Sequence, residues 1–364
     1  MTNVSVVAHG SVTSVGLDGP STFAAMRAGV SGVAESKLWD PTAGARLAAA
    51  RPPLRQWWQG PTMLAELIST AVKECLESAC RLFQLSVRYS TQELPVVVIL
   101  SPLDRPCRAA NLDRQVLEDL ARKLGRPAGT STLVSVDRGR TGIALALQAA
   151  EEQMLRRPAP ACVIVGVESF LRQKLVKQYI DEGRVLCGIN SNGFIPGEAA
   201  AAVLICKSGE APADELRITG LGQDMEPNGA GGNASVAVTG TGLTNAIRQA
   251  LTQAGIEYHQ LQFSISDLNG ERFKFKERTI AAARLDRAPP PGHPRRPRGY
   301  MEIWHPVESI GEVGSAIFPC LLGWAFEAGA RGYAPGAHAL LHASEDNGER
   351  VAIVTHFKPR KATF

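Results

Sequence analysis

The residues that could carry chemistry in this chain are spread out and lack the spacings that most enzymes require. Seven cysteines and seven histidines form no C-x-x-C pair and no metal-ligand His pair, so no metal site or dithiol is indicated. There is no G-x-S-x-G elbow and no P-loop, and the G-x-G near Gly240 lacks the strand and acidic residue of a dinucleotide site. No cofactor is expected. The charged residues are more informative. Arg138 and Arg140 flank Gly139 in the turn VDRGRTG, residues 136–142. Glu308 and Glu312 are one helical turn apart in sequence, a spacing that would put them on the same side of a helix. Asp137, Glu271 and Glu312 are the carboxylates available for a hydrolytic acid–base site.

The elements that must position these residues alternate. Strand-like VSVVAHG is followed by helices near residues 20–28 and 63–85, the strand LPVVVIL, the strand LVSVD, a helix over 141–156 and the strands ACVIVGV and AAAAVLICK. This alternation predicts a mostly parallel α/β sheet. A polar break at 208–215, SGEAPADE, separates a second half with the same design: LRITGLG, a helix over 242–255, QFSIS, a helix near 310–330, HALLHAS and RVAIVTHF. The reading is two similar halves, residues 1–208 and 209–364.

With 45% hydrophobic and 20% charged residues over 364 positions, the chain can bury large cores, which excludes disorder over most of its length. The start, MTNVSVVAHG, has no secretory pattern, and no apolar run approaches the roughly 18 residues a membrane span needs. A cytoplasmic protein without a membrane span is therefore expected, its cysteines reduced and buried. A net charge of +4 is far below a nucleic-acid-binding signature. The largest local contribution is the segment 287–298, RAPPPGHPRRPR, in which five prolines and four arginines make a stiff cationic surface loop. It reads either as a solvated connection or as a docking surface for an acidic partner.

Four segments, in order over nearly the whole chain, resemble the β-ketoacyl synthases of the thiolase superfamily. Residues 6–33, VVAHGSVTSVGLDGPSTFAAMRAGVSGV, are similar to the opening strand, glycine-containing loop and helix ending in G-x-S-G. Residues 192–205, NGFIPGEAAAAVLI, resemble the D-G-F-x-x-G-E-G-A-G segment before the last strand of the first half. Residues 243–271, LTNAIRQALTQAGIEYHQLQFSISDLNGE, resemble the helix, A-G-I turn and strand leading into H-G-T, and residues 309–316, SIGEVGSA, the G-H-containing turn that opens a buried helix. The resemblance implies a five-layered α-β-α-β-α fold of two similar halves, a site between them, and a dimer.

Carried over residue by residue, the resemblance places Gly139 at the nucleophilic cysteine, and glycine has no nucleophile to offer. Cys107 and Cys162 are the nearest cysteines in sequence, and Cys162 reads as a core residue. Asn269 falls at the first histidine, with Asp267 as the gapless alternative, and Glu312 falls at the second. The family's lysine has no counterpart in Trp304-His305-Pro306-Val307, and His305 reads as a strand or loop end. The glycine-rich turn near the family's C-terminus becomes His342 to Gly348, HASEDNG. Arg138 and Arg140 thus enter one side of the former pocket and Glu271, Glu308 and Glu312 the other. Isolated buried charges are prohibitively costly, so an ion-pair and hydrogen-bond cluster is expected there.

The expected function is that of a catalytically inactive relative acting by binding protein: an adaptor or co-chaperone, for instance of a type VI secretion effector, or a chain-length-factor-like subunit in fatty-acid or polyketide synthesis. Residual acyl-thioester processing is the enzymatic alternative. Expected partners are proteins, in a homodimer or heterodimer, with acyl carrier protein less favoured and nucleic acid excluded.

Overall fold

The computed structural model describes residues 3–54, 58–157, 159–230, 236–289, 292–296 and 299–360. Pro290, Pro291, Pro297 and Arg298 of the Arg/Pro-rich segment lie outside the described residues. The first half supplies β1 (Val4–Val12), α1 (Gly19–Arg27), the hairpin β2 (Val33–Asp40) and β3 (Ala45–Ala50), α2 (Pro61–Phe83), α3 (Val87–Gln92), β4 (Val96–Leu100), α4 (Leu112–Lys123), β5 (Leu133–Asp137), α5 (Ile143–Arg156), β6 (Cys162–Ser169), α6 (Gln173–Asp181) and β7 (Glu198–Lys207). The second supplies β8 (Glu215–Met225), α7 (Thr241–Ala254), β9 (Phe263–Ser266), α8 (Arg272–Arg287), β10 (Glu302–Trp304), α9 (Val307–Ile310), α10 (Ile317–Ala330), β11 (His338–Ser344) and β12 (Glu349–Lys358).

Ten strands pair in the order β10-β9-β11-β12-β8-β1-β7-β6-β4-β5. Leaving out the β2–β3 hairpin and numbering the strands within each half, both halves follow the same order, third, second, fourth, fifth, first. They also share the same mixture, with the second strand parallel to its neighbours and the fifth antiparallel to both of its own. The sheet is therefore mixed, where the alternation of elements suggested a mostly parallel one. β11 and β12 follow one another without a helical crossover that would make them parallel, and α6, between β6 and β7, does not serve as one. The halves join through a short antiparallel pairing of Ser5 with Arg217 and Val6 with Leu216.

Burial sorts the helices into layers. The run VVVIL of β4 is buried throughout, as expected of a strand covered on both faces. Helices α2 and α4 cover the first half's sheet from outside, and α7 and α8 cover the second's. Between the sheets lie α5 and α10. Every residue of α10 from Ile317 to Ala328 is buried, the pattern of a helix surrounded by protein. The five-layered α/β arrangement implied by the thiolase resemblance is present. Among the described residues, no helix is long and apolar enough to cross a membrane.

Two helix boundaries differ from expectation. The helix read over 141–156 begins with a 3₁₀ turn at Gly139–Thr141 before α5. The helix read from residue 310 is interrupted: α9 ends at Gly311 with φ +71, and a second 3₁₀ turn, Gly314–Ala316, precedes α10. The seven cysteines are all unpaired, but only Cys75, Cys162, Cys206 and Cys320 are buried, the other three being half-buried.

Candidate functional site

The turn after β5 presents Gly139 with φ +60, a left-handed conformation that glycine adopts without strain. A Cβ built at this position would fall on the carboxylate of Glu345. Glu345 follows β11 and accepts a bond from the Arg140 backbone N–H at 2.8 Å. The space that a side chain at Gly139 would occupy is therefore filled by a carboxylate from the other half.

Arg140 is fully buried and runs into the cleft between the halves. Its Nε donates to Glu312 Oε1 at 3.0 Å, and its Nη1 donates to Glu345 Oε1 at 2.7 Å and to Asp346 Oδ1 at 3.3 Å. Glu312 also accepts from Asn269 Nδ2 at 2.6 Å and from the Gly314 N–H at 2.9 Å. Burial alone would raise the Glu312 carboxyl, but Arg140 and Lys274, with the bonds from Arg140 and Asn269, bring it down to about 2. The Gly139 turn and Glu312 are thus joined by a direct ion pair.

Two further arginines complete the cluster. Arg105, in the loop after β4, donates from Nε to Glu168 Oε1 at 2.8 Å, from Nη2 to Glu345 Oε1 at 3.1 Å, and from Nη1 to Asp346 Oδ2 at 2.9 Å and the Tyr179 hydroxyl at 3.2 Å. Arg184, in the turn after α6, forks onto Glu271 at 2.7 and 3.2 Å and reaches Asp346 Oδ1 at 2.9 Å. Burial would raise Asp346, but Arg140, Arg184 and Arg105 hold it well below the usual carboxylate range. Burial also opposes the charge on Arg105 and Arg140, yet neighbouring carboxylates push both guanidiniums further up.

Of the residues singled out in the sequence, the structure brings together Gly139, Arg140, Asn269, Glu271 and Glu312. It does not bring in Arg138 or Glu308. The side chain of Arg138 is half-exposed and 4.0 Å from Glu349, because the turn directs Arg140 inward and its neighbour outward. Glu308 is exposed and bonded to His305 at 2.6 Å. The break at Gly311 ends the helix that would have aligned Glu308 with Glu312. Asp267 is paired with Lys274 at 2.6 Å. Glu271 and Glu312 converge on Asn269 Nδ2 at 3.1 and 2.6 Å and are paired with Arg184 and Arg140, whereas Asp137 is taken by Arg108 at 2.5 Å. Cys162 is a fully buried strand residue whose thiol is pushed up by burial. Among the described residues, no three His, Cys, Asp or Glu side chains converge to hold a metal ion.

Sequence reasoning missed Arg105, Glu168, Arg184, Glu345 and Asp346 as members of the cluster. Only Glu168 carried a signal, a carboxylate near the end of the apolar strand CVIVGVES, where an unpaired charge would be costly.

No family model and no curated protein matches the chain. Solved structures do. A ketosynthase complex with its chain length factor from Xenorhabdus doucetiae superposes over 98% of both chains at 14% identity and TM-score 0.67. The ishigamide ketosynthase/chain length factor covers 97% of this chain and 98% of its own at 15% identity and TM-score 0.70. A type II polyketide acyl-carrier protein in complex with its ketosynthase bound to the hexaketide covers 97% and 98% at 14% identity and TM-score 0.72. The fold is that of the ketosynthases. Within that ketosynthase-like fold, the cleft between the halves holds an ion-pair network of three arginines and five carboxylates, with the buried Arg140 Nη2 left without a partner among the described residues and a glycine, Gly139, at the turn.

Proposed function

We propose that this chain is a non-catalytic ketosynthase-like protein that works by binding another protein. One observation carries the reading: the Glu345 carboxylate stands where a side chain at Gly139 would be. On this reading Gly139, Asn269 and Glu312 are the former nucleophile and histidine positions. A condensing site needs a thiolate near backbone donors and neutral or cationic donors to stabilise an enolate. Here the donors are spent on carboxylates, and Glu312 is ionised at any physiological pH.

The partner we favour is a ketosynthase-like chain, in the manner of a chain length factor. The kinship in fold with ketosynthase/chain length factor complexes supports this, and so does the sheet. β5 is an end strand paired only to β4, and an open edge strand invites pairing with another chain. Beside it a groove of about 510 Å³ is lined by Pro102, Leu103, Asp137 and Leu145 among others, with Leu103 and Leu145 exposed at 73% and 42%. Service as an adaptor for a secretion effector is the other setting of the same non-catalytic reading.

Affinity purification of the tagged full chain from its native host, with mass spectrometry of what is retained, tests this reading. Recovery of a ketosynthase-like chain in equal amount, lost on Leu103→Glu/Leu145→Glu, supports pairing. Recovery of a secretion component instead moves the protein to the adaptor setting, and acyl chains on this protein would reopen the enzymatic one.

A further inference from the structure

Three turns of the chain set an exposed side chain beside a buried charge. In the loop between β4 and α4, Leu103 is 73% exposed and Asp104 is exposed, while Arg105 turns inward. After β5, Arg138 is exposed and Arg140 is buried. Between β11 and β12, Glu345 is buried and Asn347 is exposed. The inward side chains belong to the ion-pair network in the cleft, and the outward ones wall the groove of about 510 Å³ beside β5. Network and groove are thus two sides of the same three turns. Asn347 brings a wall from the second half to a groove otherwise built by the first.

The loop after β4 is held in place by arginines. Arg105 reaches Glu168, Glu345, Asp346 and Tyr179. Arg108 donates to the Ser101 carbonyl at 3.1 Å and to Asp137 at 2.5 Å, and Arg172 donates to the Cys107 carbonyl at 2.7 Å. Within the loop Cys107 has φ +57, and a residue of this kind persists in the left-handed region only where its surroundings over-determine it.

Filling a cleft does not by itself call for charge. Replacing a buried ion pair by well-packed apolar side chains is often neutral or stabilising, so closure alone does not explain three arginines and five carboxylates. Directional bonds supply orientation, which apolar packing does not. Arg105 and Arg140 both bond Glu345 and Asp346, and so set the Asn347 turn of the second half against the Leu103 and Arg138 turns of the first. A groove whose walls are fixed beforehand loses less entropy when a partner docks.

We infer that the buried network positions the groove beside β5, holding its three turns in the arrangement on which a ketosynthase-like chain docks; the identity of that partner rests on the reading above. Arg105 is the central positioning residue, because it lies two residues from Leu103 and bonds carboxylates of both halves, Glu168 and Glu345.

The test compares full-length Asp346→Asn with Glu327→Gln, which takes a buried carboxylate from His9 and Arg331 near the other end of α10. Each removes one carboxylate charge, but only the first touches the network. Hydrogen exchange read by mass spectrometry should speed up at least about tenfold in Asp346→Asn over residues 101–105, 133–138 and 345–349, and stay at the wild-type rate there in Glu327→Gln. In affinity purification from the native host, recovery of the ketosynthase-like chain should fall at least about tenfold in Asp346→Asn, with Leu103 and Leu145 intact, and hold in Glu327→Gln. Arg105→Lys, which keeps the charge but loses the fork, takes the place of Asp346→Asn if that variant does not fold. Unchanged exchange in the three segments, the same changes in Glu327→Gln, or loosened turns that still retain the partner in full would overturn the inference. A wild-type protein that retains no ketosynthase-like chain sinks the earlier reading instead, and the exchange comparison alone then decides whether the network holds the groove.

Discussion

The two halves build the same turn twice and finish it differently. In the first, β5 leads through Gly139 at φ +60 and a 3₁₀ turn into α5. In the second, β10 leads by way of α9 through Gly314 at φ +51 and a 3₁₀ turn into α10. Each glycine's missing Cβ would land on a carboxylate from the fourth strand's end in the opposite half, Glu345 for Gly139 and Glu168 for Gly314. Each carboxylate accepts the N–H of the next residue, Arg140 at 2.8 Å and Ser315 at 2.9 Å, and Arg105 bridges the two carboxylates. The difference is the side chain after the glycine. Ser315 returns its hydroxyl to the same carboxylate, Glu168, at 2.9 Å, whereas Arg140 also reaches Glu312 and Asp346. Both halves of this chain therefore share the glycine–carboxylate device, and the Arg140 side chain is what extends the first copy to Glu312.

Breaking the shared part or the added part separates these contributions. The largest effect is expected from Arg140→Met, which leaves Glu312, Glu345 and Asp346 buried with less compensation. Loss of one partner of a buried pair costs about 3–5 kcal/mol, read as a lower urea midpoint with unchanged slope. Arg105→Met should cost a similar amount by loosening both turns together. Gly139→Ala and Gly314→Ala each add a Cβ at positive φ against a carboxylate and should each cost about 1–3 kcal/mol; a large inequality between them would break the symmetry. Ser315→Ala removes one hydroxyl bond and should cost about 1 kcal/mol.

Acid sharpens the same contrast. The folded pKa of Glu312 is depressed from 4.5 to about 2, and Asp346 is held well below its ordinary value. The unfolded chain therefore binds more protons in this range. The stabilisation is fully present above the ordinary carboxylate values and is lost as pH falls towards about 2. Arg140→Met removes a main cause of the depression, so its stability should fall less steeply than the wild type's below pH 4.5, measured as urea midpoints over a pH series.

How much of this was legible in the sequence depended on whether a residue belonged to a repeating pattern or a motif. The strands other than β2, β3 and β10, and the apolar helices α2, α5 and α10, were readable because burial leaves a pattern of apolar residues, which the largely exposed β2 and β10 and the half-exposed β3 lack. α8 was not: Lys274 and Glu277 turn inward to pair with Asp267 and Arg350, so the helix buries ion pairs where an apolar stripe would have announced it. The same holds at the site. Gly139, Arg140, Asn269 and Glu312 stand at positions a motif could mark, and the expectation that some of the arginines and glutamates there would pair followed from the cost of burying such charges alone, without saying which of them would. Arg105, Arg184, Glu345 and Asp346 come from loops and a hairpin, where a charged residue in sequence looks like any solvated turn. The pairing of Arg105 with Glu345 spans 240 positions, a contact that only the fold brings together.

The most direct test of the central claim, that the cleft is closed to acyl chemistry, is to incubate the full-length protein with acyl-CoA and malonyl-CoA, following thiol release and the intact protein mass together. The account predicts release at the buffer rate and no acyl adduct. Protein-dependent release, or a mass gain that disappears in Glu345→Gln, would contradict it.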